Sequence, residues 1–338
     1  MPVRKSLLFA ALVLLGVVLF VTDLLLGSSG LRVTEVLGAL LKIEGADAVH
    51  VRIVQEVRVP QAITAACAGG ALAACGLLMQ TLFRNPLAGP GVLGVTSGAG
   101  LGVAILMLGG GGSLGALLPA GVLAAAFVGA MAVLLLIVLA DRRIGDGATL
   151  LIVGLMTGYL CSALVSVLEL YAPAHALKGF VVWGMGSFNG KEMKDVAWLL
   201  PVVLIGCLAA WLHAKPLNAL LAGEEQATTL GLNVRRTRSV LIAFSGLLAS
   251  VVTAFCGPVS FIGLATPHVA RGLFRTADHR VLIPASIISG TCLALLCDVI
   301  TRLPGIQGTL PLNAVTSLLG APVVLWVLWQ GRNWYRAA

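Results

Sequence analysis

Long apolar runs, broken by short polar or Gly/Pro-containing stretches, repeat along the whole 338-residue chain. Crossing a bilayer core of about 30 Å takes around 20 apolar helical residues, because backbone polar groups must be satisfied inside the span. The runs fit that length and are far too long for barrel strands. Read between their charged or Gly/Pro boundaries, they predict spans at roughly 6–27, 60–82, 91–108, 115–140, 148–170, 194–212, 238–256, 258–274, 281–300 and 310–330. The predicted fold class is all-α, a polytopic membrane protein of about ten transmembrane helices forming a single domain over 1–338.

Three connections carry patterns of their own. Residues 27–59 include VTEVLGALLKIEGADAVHVRIVQEVRV, suited to a short amphipathic helix on one surface. KGFVVWGMGSFNGKEM, 178–193, is too short to span and suits a re-entrant or interfacial helix. On the opposite side, 213–238 (HAKPLNALLAGEEQATTLGLNVRRTR) is the most polar loop and suits short helices. In RNPLAGPGVLGVTSGAG, Pro86 and Pro90 end one span and delay the next. Gly94, Gly98 and Gly102 then recur every fourth residue, a face on which a neighbouring helix can approach closely.

Composition agrees with the pattern. The chain is 59% hydrophobic and 11% charged with a mean hydropathy of +1.02, whereas a soluble domain carries roughly a quarter charged residues. An even number of spans puts both termini on one side. That side holds fourteen of the 22 Lys and Arg residues and five of the 14 acids, so the +8 formal charge divides into +9 there and −1 opposite. The positive-inside rule makes the termini cytoplasmic, and the basicity becomes a topology signal instead of a nucleic-acid footprint. The first apolar run, after Arg4 and Lys5, is long and lacks an A-x-A cleavage site, so it reads as a retained helix. Seven scattered cysteines form no CxxC pair and read as small buried apolar residues.

Candidate chemistry is sparse. Asp23, Glu169 and Asp298 fall at the outer ends of spans, where water is expected to reach them, and the predicted midplane is nearly free of charge. That counts against a proton- or sodium-driven carrier. Without a His/Glu zinc spacing or a nucleophile set, catalysis and a resident metal are not expected. The chain has no G-x-x-x-x-G-K-[ST] loop, so ATP-driven transport requires a separate ATPase subunit. LLAGEEQATTLGLNVRR suits contact with such a subunit: a short helix with Glu224 and Glu225 in its first turn, favourable to the helix dipole, and Gly231 past its end. A secondary carrier acting alone and a membrane scaffold remain the alternatives.

The residues also carry a resemblance over nearly the whole chain: RVP opening the second span, GALAACGLLMQTLFRNPLAGPGVLGVTSGAG, WGMGSF, GEEQATTLGLNV, GPVSFIGLATPHVARGL, DHRVLIPAS and LPLNAVTSLLGAPVVLWVL. In this order they resemble the FecCD-type permeases for iron siderophores, haem and vitamin B12, the membrane subunits of type II ABC importers. The resemblance implies a ten-helix permease in the bacterial inner membrane, working as a homodimer with two cytoplasmic ATPases and an external substrate-binding protein. ATP and Mg would sit on the ATPases, and this chain would bind no cofactor. It implies that Gly223, Glu224, Ala227, Leu230 and Gly231 belong to a helix that couples to the ATPase. Asn85 and Leu87, with Asp146 and Gly147, would form an inner gate. Arg58 and Arg302 would dock the binding protein. The sequence departs from the family pattern at Gln61, where a second arginine is usual, and at Thr309 and Asn313. The implied cargo is a ferric siderophore or haem, with cobalamin as the alternative.

Overall fold

The computed structural model describes residues 2–27, 30–41, 43, 47–109, 119–303 and 309–330. Residues 115–118 of the fourth predicted span, and Arg332 and Arg336, lie outside them. Among the described residues there is no strand, and the helices in chain order are α1 (Pro2–Leu25), α2 (Val33–Leu40), α3 (Ala48–Arg52), α4 (Val59–Leu82), α5 (Val95–Leu108), α6 (Pro119–Ile144), α7 (Gly147–Tyr171), α8 (Ala174–Gly184), α9 (Met193–Leu212), α10 (Ala214–Leu221), α11 (Glu224–Thr229), α12 (Val234–Cys256), α13 (Ile262–Phe274), α14 (His279–Thr301) and α15 (Leu312–Gln330). The ten predicted spans correspond to α1, α4, α5, α6, α7, α9, α12, α13, α14 and α15. Among the described residues, seven helices, one of them continuous over Ala48–Leu82, are long and apolar enough to cross a membrane.

The small-residue stretch AACAGGALAACG explains which helix takes the centre. Without bulky side chains, α4 can be approached from several directions at once. Nearly all of it from Pro60 to Leu82 is buried, packed against α9, α12, α13 and α14. Helices α5, α6 and α7 form a second group beside it, and α1 leans on α14.

Three boundaries differ from the sequence pattern. The second span is continuous from Ala48, passing through a π-helical segment at Ile53–Arg58. The irregular turn falls next to Pro60, which has no N–H to give the preceding turn. Second, α5 begins at Val95 instead of 91, because Pro90–Leu93 form a 3₁₀ turn. Third, Gly94 is not part of the helical stripe: it has φ 73°, the left-handed conformation that ends the 3₁₀ turn. The rest of the stripe packs as expected. A Cβ on Gly98 would lie 2.6 Å from Gly129 O, and one on Gly102 only 2.1 Å from Ala125 O, both on α6.

Candidate functional site

Helices α5 and α13, with 14 and 13 residues, reach about 20 Å at 1.5 Å per residue, short of a bilayer core. Each is extended by irregular backbone, 89–94 before α5 and 257–261 before α13. Non-helical backbone at membrane depth is tolerated only where protein or a cavity surrounds it. These two segments meet α4 and α12 around a recess of about 290 Å³, lined by Leu72, Leu87, Gly89–Val92, Thr96, Thr253, Ser260, Phe261 and Leu264 among others. The lining has hydroxyls and backbone but no charged side chain.

Both irregular segments are held in place. Asn85 Oδ1 accepts the Leu87 N–H at 2.9 Å, and the Ala88 N–H returns to Asn85 O at 3.0 Å, closing a tight turn. The turn buries Ala88 and leaves Leu87 43% exposed at the recess. His268 Nε2 lies 2.8 Å from Pro86 O, tying the turn to α13. Arg271 Nη1 donates to Gln80 Oε1 at 2.7 Å, and Gln80 Nε2 donates to Leu264 O at 3.1 Å. On the other segment Asn313 serves as the fastening. Its Nδ2 donates to Pro258 O and Gly184 O at 2.7 and 3.1 Å, and its Oδ1 accepts the Ser260 N–H at 2.9 Å. The departure at Asn313 therefore joins the end of α8, the 257–261 turn and α15.

The remaining gate candidates sit close to the Asn85 turn. Asp146 caps α7, accepting from Thr149 N at 2.8 Å and from its hydroxyl at 2.6 Å. Those bonds hold its carboxyl below the usual carboxylate range. A Cβ on Gly147 would stand 3.5 Å from the Phe83 ring, so the structure brings the 145–147 turn against the residues just before Asn85.

At the same end, α10 and α11 form a strap beneath the bundle. Gly223 (φ 121°) and Gly231 (φ 84°) bracket α11, Glu224 and Glu225 lie in its first turn, Ala227 is fully buried, and Leu230 is 74% exposed. The fastenings were not legible in the sequence. Arg238 Nε donates to Asp141 Oδ1 at 2.7 Å in a buried pair, and Ser239 Oγ donates to Asp141 Oδ2 at 2.5 Å. Glu224 Oε1 lies 3.7 Å from Arg238 Nη1, which joins α11 to that pair. Asn218 on α10 donates to Asp278 Oδ1 at 2.7 Å and accepts the His279 N–H at 2.8 Å. The His279 ring bridges Asn218 Oδ1 and Thr81 Oγ1, 2.8 Å from each. Local sequence pattern does not pair these residues; tertiary contact is what links them.

At the opposite end the structure revises the expectation. Asp23 and Asp298 do not face water; both are fully buried. Arg302, 6% exposed, pairs with both carboxylates, at 2.5 Å from Asp298 Oδ2. Gln61 Nε2 is 3.0 Å from each Asp298 oxygen. Arg58, 3% exposed, donates through Nη1 to Leu24 O and Leu25 O at 2.8 and 2.9 Å. Both arginines thus face inward, engaged within a cluster that joins α1, α4 and α14. A glutamine at position 61 suits this cluster because it binds Asp298 without adding a third cation beside Arg58 and Arg302.

Short helices extended by irregular backbone meet around a small recess whose lining, among the described residues, carries no charge that would hold a cargo tightly there. The profile of the FecCD transport family matches residues 13–330, and the chain belongs to that family. It is 37% identical over 281 residues to the vitamin B12 import system permease protein BtuC of Escherichia coli O9:H4 (strain HS) and of Shigella boydii serotype 18, covering 83% of this chain and 84% of each relative. A metal-chelate type ABC transporter solved in an inward-facing conformation superposes with a TM-score of 0.83 at 28% identity, over 95% of this chain and 98% of that one. PsaBC from Streptococcus pneumoniae, solved with a Fab, shares the fold at a TM-score of 0.52 and 18% identity, over 79% and 89% of the two chains. The chain is the multi-pass membrane permease of an ABC importer.

Proposed function

We propose that the permease carries a metal chelate inward as half of a homodimer, powered by two cytoplasmic ATPases and supplied by an external binding protein. The observation that carries this reading is the strap of α10 and α11, hydrogen-bonded through Asn218 to the start of α14, linked by the His279 ring to Thr81 at the end of α4, and ion-paired through Glu224 to Arg238 of α12. A push on the strap reaches the helices around the recess through side chains that are already in contact. The uncharged lining suits a cargo handed over by a binding protein and released without capture. Apolar side chains left open along α7, including Leu155, Tyr159, Leu164 and Val167, offer the surface a second copy would cover. The basic end faces the cytoplasm by the positive-inside rule. Asn85, Leu87, Asp146 and Gly147 act as the inner gate in this reading. The binding protein docks at the opposite end; a docking role for Arg58 and Arg302 requires that they leave their internal partners. Siderophore-iron and haem are the expected cargo on family grounds, and the vitamin B12 relatives bring cobalamin level with them.

In proteoliposomes containing the permease, its ATPase and its binding protein, ATP should drive uptake of one of three probes: cyanocobalamin, haem or a ferric siderophore. Glu224→Arg should abolish that uptake in a complex that still assembles. Uptake of a chelate by the permease alone, driven by an ion gradient, would overturn the reading.

A further inference from the structure

We propose that a recess between the basic ends of α6 and α12 binds the head group of an anionic phospholipid. The recess, about 480 Å³, is lined by Arg142, Arg235, Arg236 and Asn233 with Ser239 and an apolar floor of Val138, Val240 and Ala243. All three arginines are exposed, and no ion-pair or hydrogen-bond partner for their guanidinium groups occurs among the described residues. The neighbouring carboxylates are already engaged: Asp141 is buried against Arg238 and Ser239, and Glu224 also points to Arg238. Arg238 and these two carboxylates together carry −1, so the three rim arginines still leave the recess net positive.

The arrangement of the lining selects a lipid over a soluble anion or an acidic protein. Residues three and four apart share a helix face. Val138 and Arg142 stand four apart on α6, and Arg236, Val240 and Ala243 follow the same spacing on α12. On both helices the cation lies one turn beyond the apolar residues, about 5.4 Å along the axis. Exposed Leu135, three residues before Val138, continues the apolar side of α6 below the recess. A phosphate at the rim would thus have its acyl chains directed along an apolar wall, the geometry of a basic pocket between transmembrane helices. A soluble phosphate would leave that wall uncovered, and an acidic protein surface would have to insert apolar groups below its charges.

The test is native mass spectrometry of the delipidated full chain in detergent, titrated with phosphatidylglycerol, phosphatidylcholine or soluble glycerol 3-phosphate. Phosphatidylglycerol should bind at least tenfold tighter than phosphatidylcholine, and glycerol 3-phosphate should not compete at a hundredfold excess. Each of Arg142→Gln, Arg235→Gln and Arg236→Gln should weaken phosphatidylglycerol roughly fivefold. Lys215→Gln with Arg280→Gln, which removes two cations at the same end outside the recess, should leave it unchanged. Ala243→Trp keeps every charge and fills the floor, and it should weaken phosphatidylglycerol as much as losing an arginine. Equal affinity for the two lipids, competition by glycerol 3-phosphate, or an unaffected Ala243→Trp variant would overturn the proposal. So would release of the bound lipid when the ATPase assembles, which would assign the recess to that protein interface.

Discussion

Adding one methyl group to Gly76 should disrupt the contact that shapes the recess. A Cβ on Gly76 of α4 would stand 1.6 Å from Gly263 O and 2.5 Å from Gly263 C on α13. Ordinary C···O approach is about 3.3 Å, so the carbonyl would have to withdraw by roughly 1.7 Å. Nothing flexible lies there to give way, because the contact is backbone and Gly263 is itself confined between Leu72 O and the Pro90 ring. Overpacking of this kind costs about 1–3 kcal/mol, with the upper end expected for a main-chain contact. Alanine at an unobstructed helical glycine returns roughly 0.5–1 kcal/mol. Gly100→Ala on α5, where a Cβ meets nothing within 4 Å, isolates that gain. The two variants should differ by about 3 kcal/mol, or about 4 °C in apparent melting temperature for a chain of 338 residues at matched scan rate. A thiol-reactive dye reports the transition directly, since the free cysteines are mostly buried until the bundle opens. Because Gly263 lines the recess, ATP-driven uptake should fall in Gly76→Ala even below its melting point. Gly76→Ala melting together with Gly100→Ala, or above it, would refute the reasoning.

Asn218→Ala removes the partner of Asp278 and of the His279 ring, and should lower stability by about 1–3 kcal/mol. In the assembled transporter it should also reduce uptake per ATP hydrolysed, measured in the same vesicles. Arg302→Gln leaves two buried carboxylates without their cation, for a loss of about 3–5 kcal/mol. Adding Asp23→Asn and Asp298→Asn should restore most of the melting temperature, and failure to do so would show that the cluster is not electrostatically coupled. Asp278, held below the usual carboxylate range by bonds from Asn218 and the Arg280 N–H, contributes stability above its ordinary unfolded value of about 3.9. That contribution disappears as pH falls through the lower folded value. A melting-temperature profile should therefore be flatter below about pH 4 in Asp278→Asn than in the parent chain.

The number and approximate place of the membrane helices were written in the sequence, because a bilayer demands a run of apolar residues wherever the chain crosses. The local form of α11 between its glycines was equally legible. Each is a local property of composition or backbone preference. What the sequence could not disclose was pairing over long separations. Asp23 and Asp298 looked like water-facing ends of spans until α1, α4 and α14 came together and placed Arg302 and Gln61 against them. Arg58 and Arg302, exposed docking groups by resemblance, face inward for the same reason. Asn313 marked only a departure from a pattern, and its three partners lie 53 to 129 residues away. Only tertiary structure could decide these roles, since a polar group near hydrocarbon takes whichever partner the packing of helices brings within reach, and hydropathy carries no record of that partner.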